Sequence, residues 1–137
     1  MKVLTLECIN GNYLRQEKDL FDGREETSSK LLQQMYKYLN CNMVDICEFN
    51  YKGVNFDVWF DEEFLLGNKI PVVTLILGEL KPDRFTILCG NLLFAKRDED
   101  GKMLGLSQND IKLLWEFTDI NVFKIREAFQ RGLIKSK

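Results

Sequence analysis

The sequence predicts a single α+β domain, in which a mostly antiparallel sheet of about five or six strands is covered on one face by two or three helices. The chain has 137 residues, a usual size for one domain. Short runs rich in β-branched and aromatic residues alternate with turn signals, which is typical of antiparallel strands. Three segments instead repeat apolar residues at helical spacing. Residues 1–137 are therefore assigned to one domain, with 118–137 as a C-terminal helical extension.

The first predicted unit is a hairpin of residues 2–9 and 13–20, turning at Asn10-Gly11, because type I′ turns favour this pair. After a polar loop, Thr27 or Ser28 is expected to cap a helix that runs to Leu39 and stops at Asn40. The predicted buried stripe of this helix comprises Leu31, Leu32, Met35 and Leu39.

A second hairpin is the clearest unit of the sequence. "NMVDICEF" and "VNFDVWFD" flank a four-residue turn at 50–53. Side chains of the second arm alternate between two faces. One set is predicted to be core: Val54, Phe56, Val58 and Phe60. The opposite set contains Asn55, Asp57, Trp59 and Asp61. A large aromatic such as Trp59 is expected either to be covered by another element or to bind a partner. The C-terminal helix, with Trp115 and Phe129, is the candidate for covering it.

The second half of the chain is predicted to hold an apolar strand within 70–80 and one long strand over 84–97. Glycine inside that long strand, at Gly90, predicts a bulge or a close backbone approach. The acidic segment 98–101 predicts a turn, since the spacing of a calcium loop fails at its first and last positions. Ser107 and Asp110 then predict a capping box, and Asp119 caps a further helix that ends at Gly132.

Composition narrows the classes of function. The formal charge of −2 disfavours direct nucleic-acid binding, and no apolar run reaches the ~18–20 residues of a membrane span. The chain has no histidine, which excludes Ser-His-Asp triads, Cys-His pairs and histidine metal sites. The four cysteines have no paired spacing and are expected to be reduced thiols in a cytoplasmic protein.

Several segments resemble, in order and spacing, an uncharacterised family found in phages, plasmids and conjugative elements of Firmicutes and gut bacteria. These are "MKVL", "LLQQMYKYLN", "DEEFLLGNKIP" and "CGNLLFAKRDEDGKMLGLSQNDI", and the similarity covers residues 1–117. Phe64 stands where that family has glycine. The positions that match its motifs are Asp61, Glu62, Glu63, Leu65, Asn68, Gly90 and Asn91. The resemblance implies an accessory protein of a mobile element, acting in the cytoplasm of a bacterial host.

Three classes of function remain open. The first is non-enzymatic binding that inhibits or modulates a host protein, such as a defence complex; the second is binding of a small molecule or nucleotide at Gly90-Asn91. The third, disfavoured, is a carboxylate- or magnesium-dependent enzyme. We expect the first, with no catalytic residue, metal or cofactor, and with homodimer formation possible. The predicted binding surface comprises Trp59, Asp57, Asp61, Glu62, Glu63, Asn68, Gly90 and Asn91.

Overall fold

In the computed structural model, residues 1–9, 12–21, 28–63 and 72–134 are described, with the side chains of 8, 9 and 28 left aside. The described strands are β1 (Lys2–Ile9), β2 (Asn12–Asp19), β3 (Val44–Tyr51), β4 (Val54–Asp61), β5 (Val73–Gly78), β6 (Phe85–Cys89), β7 (Leu92–Arg97) and β8 (Met103–Leu104). The described helices are α1 (Ser28–Leu39) and α2 (Gln108–Gln130). The predicted α+β class, with mostly antiparallel strands and two helices, is confirmed.

The strands form two sheets. The main sheet has six strands in the order β2-β1-β7-β4-β3, with β8 paired to β7, and β5 and β6 form a separate pair. Every pairing between these described strands is antiparallel. The strands β1 and β2 pair from Lys2 with Asp19 to Ile9 with Asn12, as the predicted first hairpin requires. Its turn, Asn10-Gly11, lies outside the described residues.

Both faces of the main sheet are covered, so the prediction of helices on one face is wrong. The reason lies in the central strands, since Leu92, Leu93, Phe94 and Ala95 of β7 are all buried. One core lies between the sheet and α2 and includes Leu4, Phe56, Val58, Leu92, Phe94, Ile111 and Leu114. The other lies between the sheet and α1 and includes Val3, Met35, Leu39, Leu93 and Ala95. A strand that is apolar on both faces requires a layer on each side.

Local structure departs from prediction at the second hairpin and in α1. The β3–β4 turn has two residues, Lys52 (φ 50°) and Gly53 (φ 83°), where four were predicted. Positive φ at both positions is typical of the I′ turn, whose twist matches that of the strands. In α1, Leu32 is 41% exposed and does not belong to the buried stripe. Asn40 takes the expected left-handed conformation, with φ 52°.

The C-terminal region is one helix where two were predicted. Ser107 accepts from the Asp110 backbone N–H, and Asp110 accepts from the Ser107 backbone N–H, which completes the predicted capping box. The predicted cap at Asp119 is wrong, because its carboxylate instead pairs with Arg15 of β2 at 2.5 Å. Gly132 (φ 73°) follows the helix end. Within the described part of the chain, no helix is both long enough and apolar enough to cross a membrane.

The prediction of one long strand over 84–97 is also wrong. The strand is interrupted at Gly90, where the backbone leaves the sheet of β6 and enters the sheet of β7. Gly90 has φ 75°, a conformation that costs a residue with a side chain about 1–2 kcal/mol. The expected close backbone approach is absent at Gly90, since a Cβ placed there meets no described atom within 4 Å.

Gly90→Val is therefore expected to destabilise the protein through its backbone conformation and not through crowding. Asparagine tolerates positive φ better than alanine or valine does. We expect the loss of unfolding free energy in urea to increase in the order Gly90→Asn, Gly90→Ala, Gly90→Val. If crowding were the cause, the small alanine would be tolerated best, and the larger asparagine would cost more.

Candidate functional site

Trp59 lies on the α1 side of the main sheet. Along β4, Phe56, Val58 and Phe60 face the α2 core, so Trp59 points to the opposite face, as predicted. There it packs, partly buried, against the core that α1 covers. The C-terminal helix does not cover it, because α2 packs on the other face of the sheet.

A groove opens beside Trp59. Its apolar half is a cavity of about 370 Å³, within the size range of ligand-binding clefts. The side chains that line it are Leu31, Leu32, Met35, Ile46, Trp59, Arg97 and Met103, together with Gly101. The exposed Leu32 is thus part of the rim of this cavity, and the groove runs between α1 and the sheet.

The indole N–H of Trp59 has no described acceptor. Its Nε1 atom is inaccessible to solvent, yet no hydrogen-bond partner for it is found among the described residues. A buried tryptophan N–H ordinarily finds an acceptor, and leaving it unpaired costs about 1–3 kcal/mol. Because Nε1 is closed to solvent, an acceptor supplied by a ligand in the groove would reach this group only after a neighbouring side chain moves.

The polar half of the groove is a cavity of about 300 Å³ that shares Arg97 and Gly101 with the apolar half. Its other lining residues are Glu48, Asn55, Asp57, Asp98 and Glu99. Arg97 Nε lies 2.6 Å from the carboxylate of Asp57, and its Nη2 lies 3.5 Å from Glu48. Burial raises the pKa of Asp57, which is 3% exposed, and Arg97 opposes that rise.

Strand pairing explains why these side chains meet. On β3 and β4, Ile46 lies opposite Trp59, and Glu48 lies opposite Asp57. Residues directly opposite in an antiparallel pair share one face of the sheet, so both pairs point toward the α1 side. Arg97 ends β7, the other neighbour of β4, and therefore reaches the same face.

The acidic residues after β4, which were predicted to belong to the binding surface, have a structural role. The Asp61 carboxylate accepts a hydrogen bond of 2.9 Å from the Glu63 backbone N–H, which is a typical Asx turn. Glu62 and Glu63 are exposed, and Asn68 lies outside the described residues. Asp61 shares the face of β4 with Asp57 and Trp59 but does not line either half of the groove.

Gly90 and Asn91 lie away from the groove. The ladder between β4 and β7 ends where Phe60 pairs with Leu92, and Asn91 lies one residue beyond it. The Gly90 backbone N–H donates to the Val72 carbonyl at 3.0 Å, so it is not available as a donor to a ligand. Of the predicted site residues that the structure describes, only Asp57 and Trp59 line the groove.

The sequence analysis did not predict the other residues of the groove as site residues, and Ile46, Glu48, Arg97 and Met103 are among them. Alternation along "VDICEF" places Ile46 and Glu48 on one face and was a usable signal. No local signal connects Arg97 or Met103 to Trp59, because their approach depends on the order of strands in the sheet.

Cys41, Cys47 and Cys89 are free thiols, and burial raises the pKa of Cys41 and Cys89 to about 11, so neither is a ready nucleophile at neutral pH. Among the described residues, no three His, Cys, Asp or Glu side chains are placed to hold a metal ion.

Comparisons with protein-family models, curated proteins and solved structures found no match for this chain.

Proposed function

We propose that the protein acts by non-enzymatic binding, and that the groove beside Trp59 receives a segment of a partner protein. The segment carries a large apolar side chain next to a lysine or arginine. Aromatic anchors in pockets contribute much of the energy in such interfaces. The observation that carries the proposal is the buried indole N–H of Trp59, which has no acceptor among the described residues and lines a cavity of about 370 Å³.

The apolar half of the groove explains why the partner segment is proposed to carry a large apolar side chain. Leucine, isoleucine and methionine side chains line this cavity together with Trp59, so an aliphatic or aromatic side chain would be removed from water on entry. Once a neighbouring side chain moves and exposes Trp59 Nε1, a backbone carbonyl of the same segment would accept from it. This fits a polypeptide, because each residue of an extended segment offers a carbonyl beside its side chain.

The charge of the polar half explains why the partner segment is proposed to carry a lysine or arginine. Four carboxylates line the polar half of the groove, those of Glu48, Asp57, Asp98 and Glu99, against the single guanidinium of Arg97. A cationic side chain entering there would lie among excess negative charge. Charge complementarity of this kind contributes mainly to specificity and to the rate of encounter.

The resemblance to a mobile-element family supplies the biological context of the proposal. The partner is then a protein in the cytoplasm of the bacterial host, and occupation of the groove inhibits or modulates it. A defence complex is the leading candidate for such a target.

Selection from a library of random peptides displayed on phage tests this proposal. We expect the selected peptides to share a large apolar residue adjacent to lysine or arginine. Trp59→Phe removes only the indole N–H and part of the ring and should weaken binding about tenfold, whereas Trp115→Phe should not. Glu48→Lys should weaken binding, while Glu17→Lys, which lies opposite Leu4 on the α2 side of the sheet, should not.

The proposal fails if no peptide is selected, or if the selected peptides bind Trp59→Phe as tightly as the unmodified protein. Thermal unfolding of each variant controls for loss of structure.

A further inference from the structure

α2 presents a second exposed apolar surface, on the opposite side of the sheet from the groove. The side chains of Trp115, Ile120, Val122, Phe123 and Phe129 are 41%, 53%, 39%, 65% and 37% exposed. Apolar residues of this size are more often buried, and α2 exposes five of them along its length.

Five exposed residues lie on one side of α2, three of these apolar residues and two charged ones, and we call them the α2 stripe: Trp115, Asp119, Val122, Arg126 and Phe129. Their spacing of four, three, four and three residues keeps them on one side of a helix. Read in either direction, the stripe alternates an apolar residue with a charged one, and its two charges are opposite.

This pattern is self-complementary under a two-fold axis. A helix rises 1.5 Å per residue, so Asp119 lies about 4.5 Å from Val122 in one direction and Arg126 about 6 Å in the other. When two copies of α2 pair antiparallel near Val122, Asp119 of each copy lies beside Arg126 of the other. The same pairing places Trp115 beside Phe129. A two-fold interface requires this reciprocity of contacts.

Both charges are available for such a pairing. Arg126 makes no ion pair with the described residues, and its guanidinium lies 5.7 Å from the ring of Phe123. Asp119 contacts Arg15 through Oδ1, and its side chain remains 62% exposed. Arg15 also lies over the indole of Trp115, at 3.8 Å, which holds this end of the stripe in place.

We propose that the α2 stripe is a homodimer interface, in which it pairs antiparallel with the same stripe of a second copy of this chain. A second copy of this chain fits the stripe because, in the antiparallel arrangement, apolar residues meet apolar residues. Each acidic residue then meets a basic one. The groove beside Trp59 stays open in this dimer, since it lies on the other face of the sheet.

Sedimentation velocity between about 1 and 200 µM tests the dimer, whose population depends on protomer concentration. We expect the unmodified protein to dimerise in this range. Arg126→Glu and Asp119→Arg should each raise the dissociation constant about tenfold or more, because like charges then face each other twice. An equimolar mixture of the two variants should dimerise again, since both contacts become attractive. Lys30→Glu, on α1, is the matched control and should change nothing.

A protein that remains monomeric at about 200 µM would overturn the proposal. So would a dimer that is unaffected by Arg126→Glu, or a mixture of folded variants that fails to associate. Should Asp119→Arg prevent folding through loss of its contact with Arg15, Val122→Glu decides the question: it must abolish the dimer, and an unchanged dimer contradicts the interface.

Discussion

Asn121→Leu is expected to destabilise the protein by about 2–5 kcal/mol. Asn121 lies in α2, is 2% exposed and contacts the backbone of β5 in the way a neighbouring strand would. Its Oδ1 accepts from the Ile76 N–H at 2.8 Å, and its Nδ2 donates to the Ile76 carbonyl at 2.8 Å. Leucine fills a similar volume but leaves both backbone groups buried and unpaired, and each such group costs about 1–3 kcal/mol.

Urea unfolding measures this loss directly. Asn109→Leu, at an exposed position of the same helix, controls for the change of residue type and should cost less than about 1 kcal/mol. Asn121→Asp should also be destabilising, because a carboxylate cannot donate to the Ile76 carbonyl. Equal effects of Asn121→Leu and Asn109→Leu would show that the contact with β5 contributes nothing to stability.

Gly78→Ala is expected to cost about 3 kcal/mol or more, from strain and overpacking together. Gly78 ends β5 with φ 98°, and a Cβ there would lie 2.4 Å from the carbonyl oxygen of Arg84. That oxygen is held in place because it accepts from the Glu79 backbone N–H at 3.1 Å. The alanine methyl group therefore meets backbone that cannot move without breaking the β5–β6 turn.

Gly53→Ala is the matched control for this substitution. Gly53 has φ 83°, but a Cβ there meets no described atom within 4 Å, so its substitution reports the cost of positive φ alone, about 1–2 kcal/mol. The difference between the two alanine variants in urea unfolding isolates the contact with Arg84. No difference would mean that the turn relaxes at little cost.

Much of this fold was predicted from local sequence patterns, because the interactions behind those patterns involve residues that are close in sequence. The alternation in "VNFDVWFD" assigned Phe56 and Trp59 to opposite faces of β4, as the structure has them. Ser107 and Asp110 marked the start of α2 because a capping box is complete within four residues. These interactions require no knowledge of the strand order.

What the sequence did not reveal depends on contacts between distant residues. The close backbone approach expected at Gly90 occurs at Gly78, because only tertiary structure determines which glycine faces another chain segment. Nothing in the sequence distinguishes Asn121 from an ordinary polar helix residue, because its role depends on its contact with β5. The groove likewise requires α1, β3, β4 and β7 to meet, and the sequence analysis anticipated only Asp57 and Trp59 of its residues.

The indole N–H signals of the protein in a ¹⁵N–¹H NMR spectrum test the central proposal most directly. The chain has two tryptophans, and the Trp59→Phe variant identifies which signal belongs to Trp59. On addition of a peptide selected for binding, we expect the Trp59 signal to shift as its N–H gains an acceptor, while the Trp115 signal stays in place. A bound peptide that leaves the Trp59 signal unchanged would contradict the assignment of this groove as the binding site.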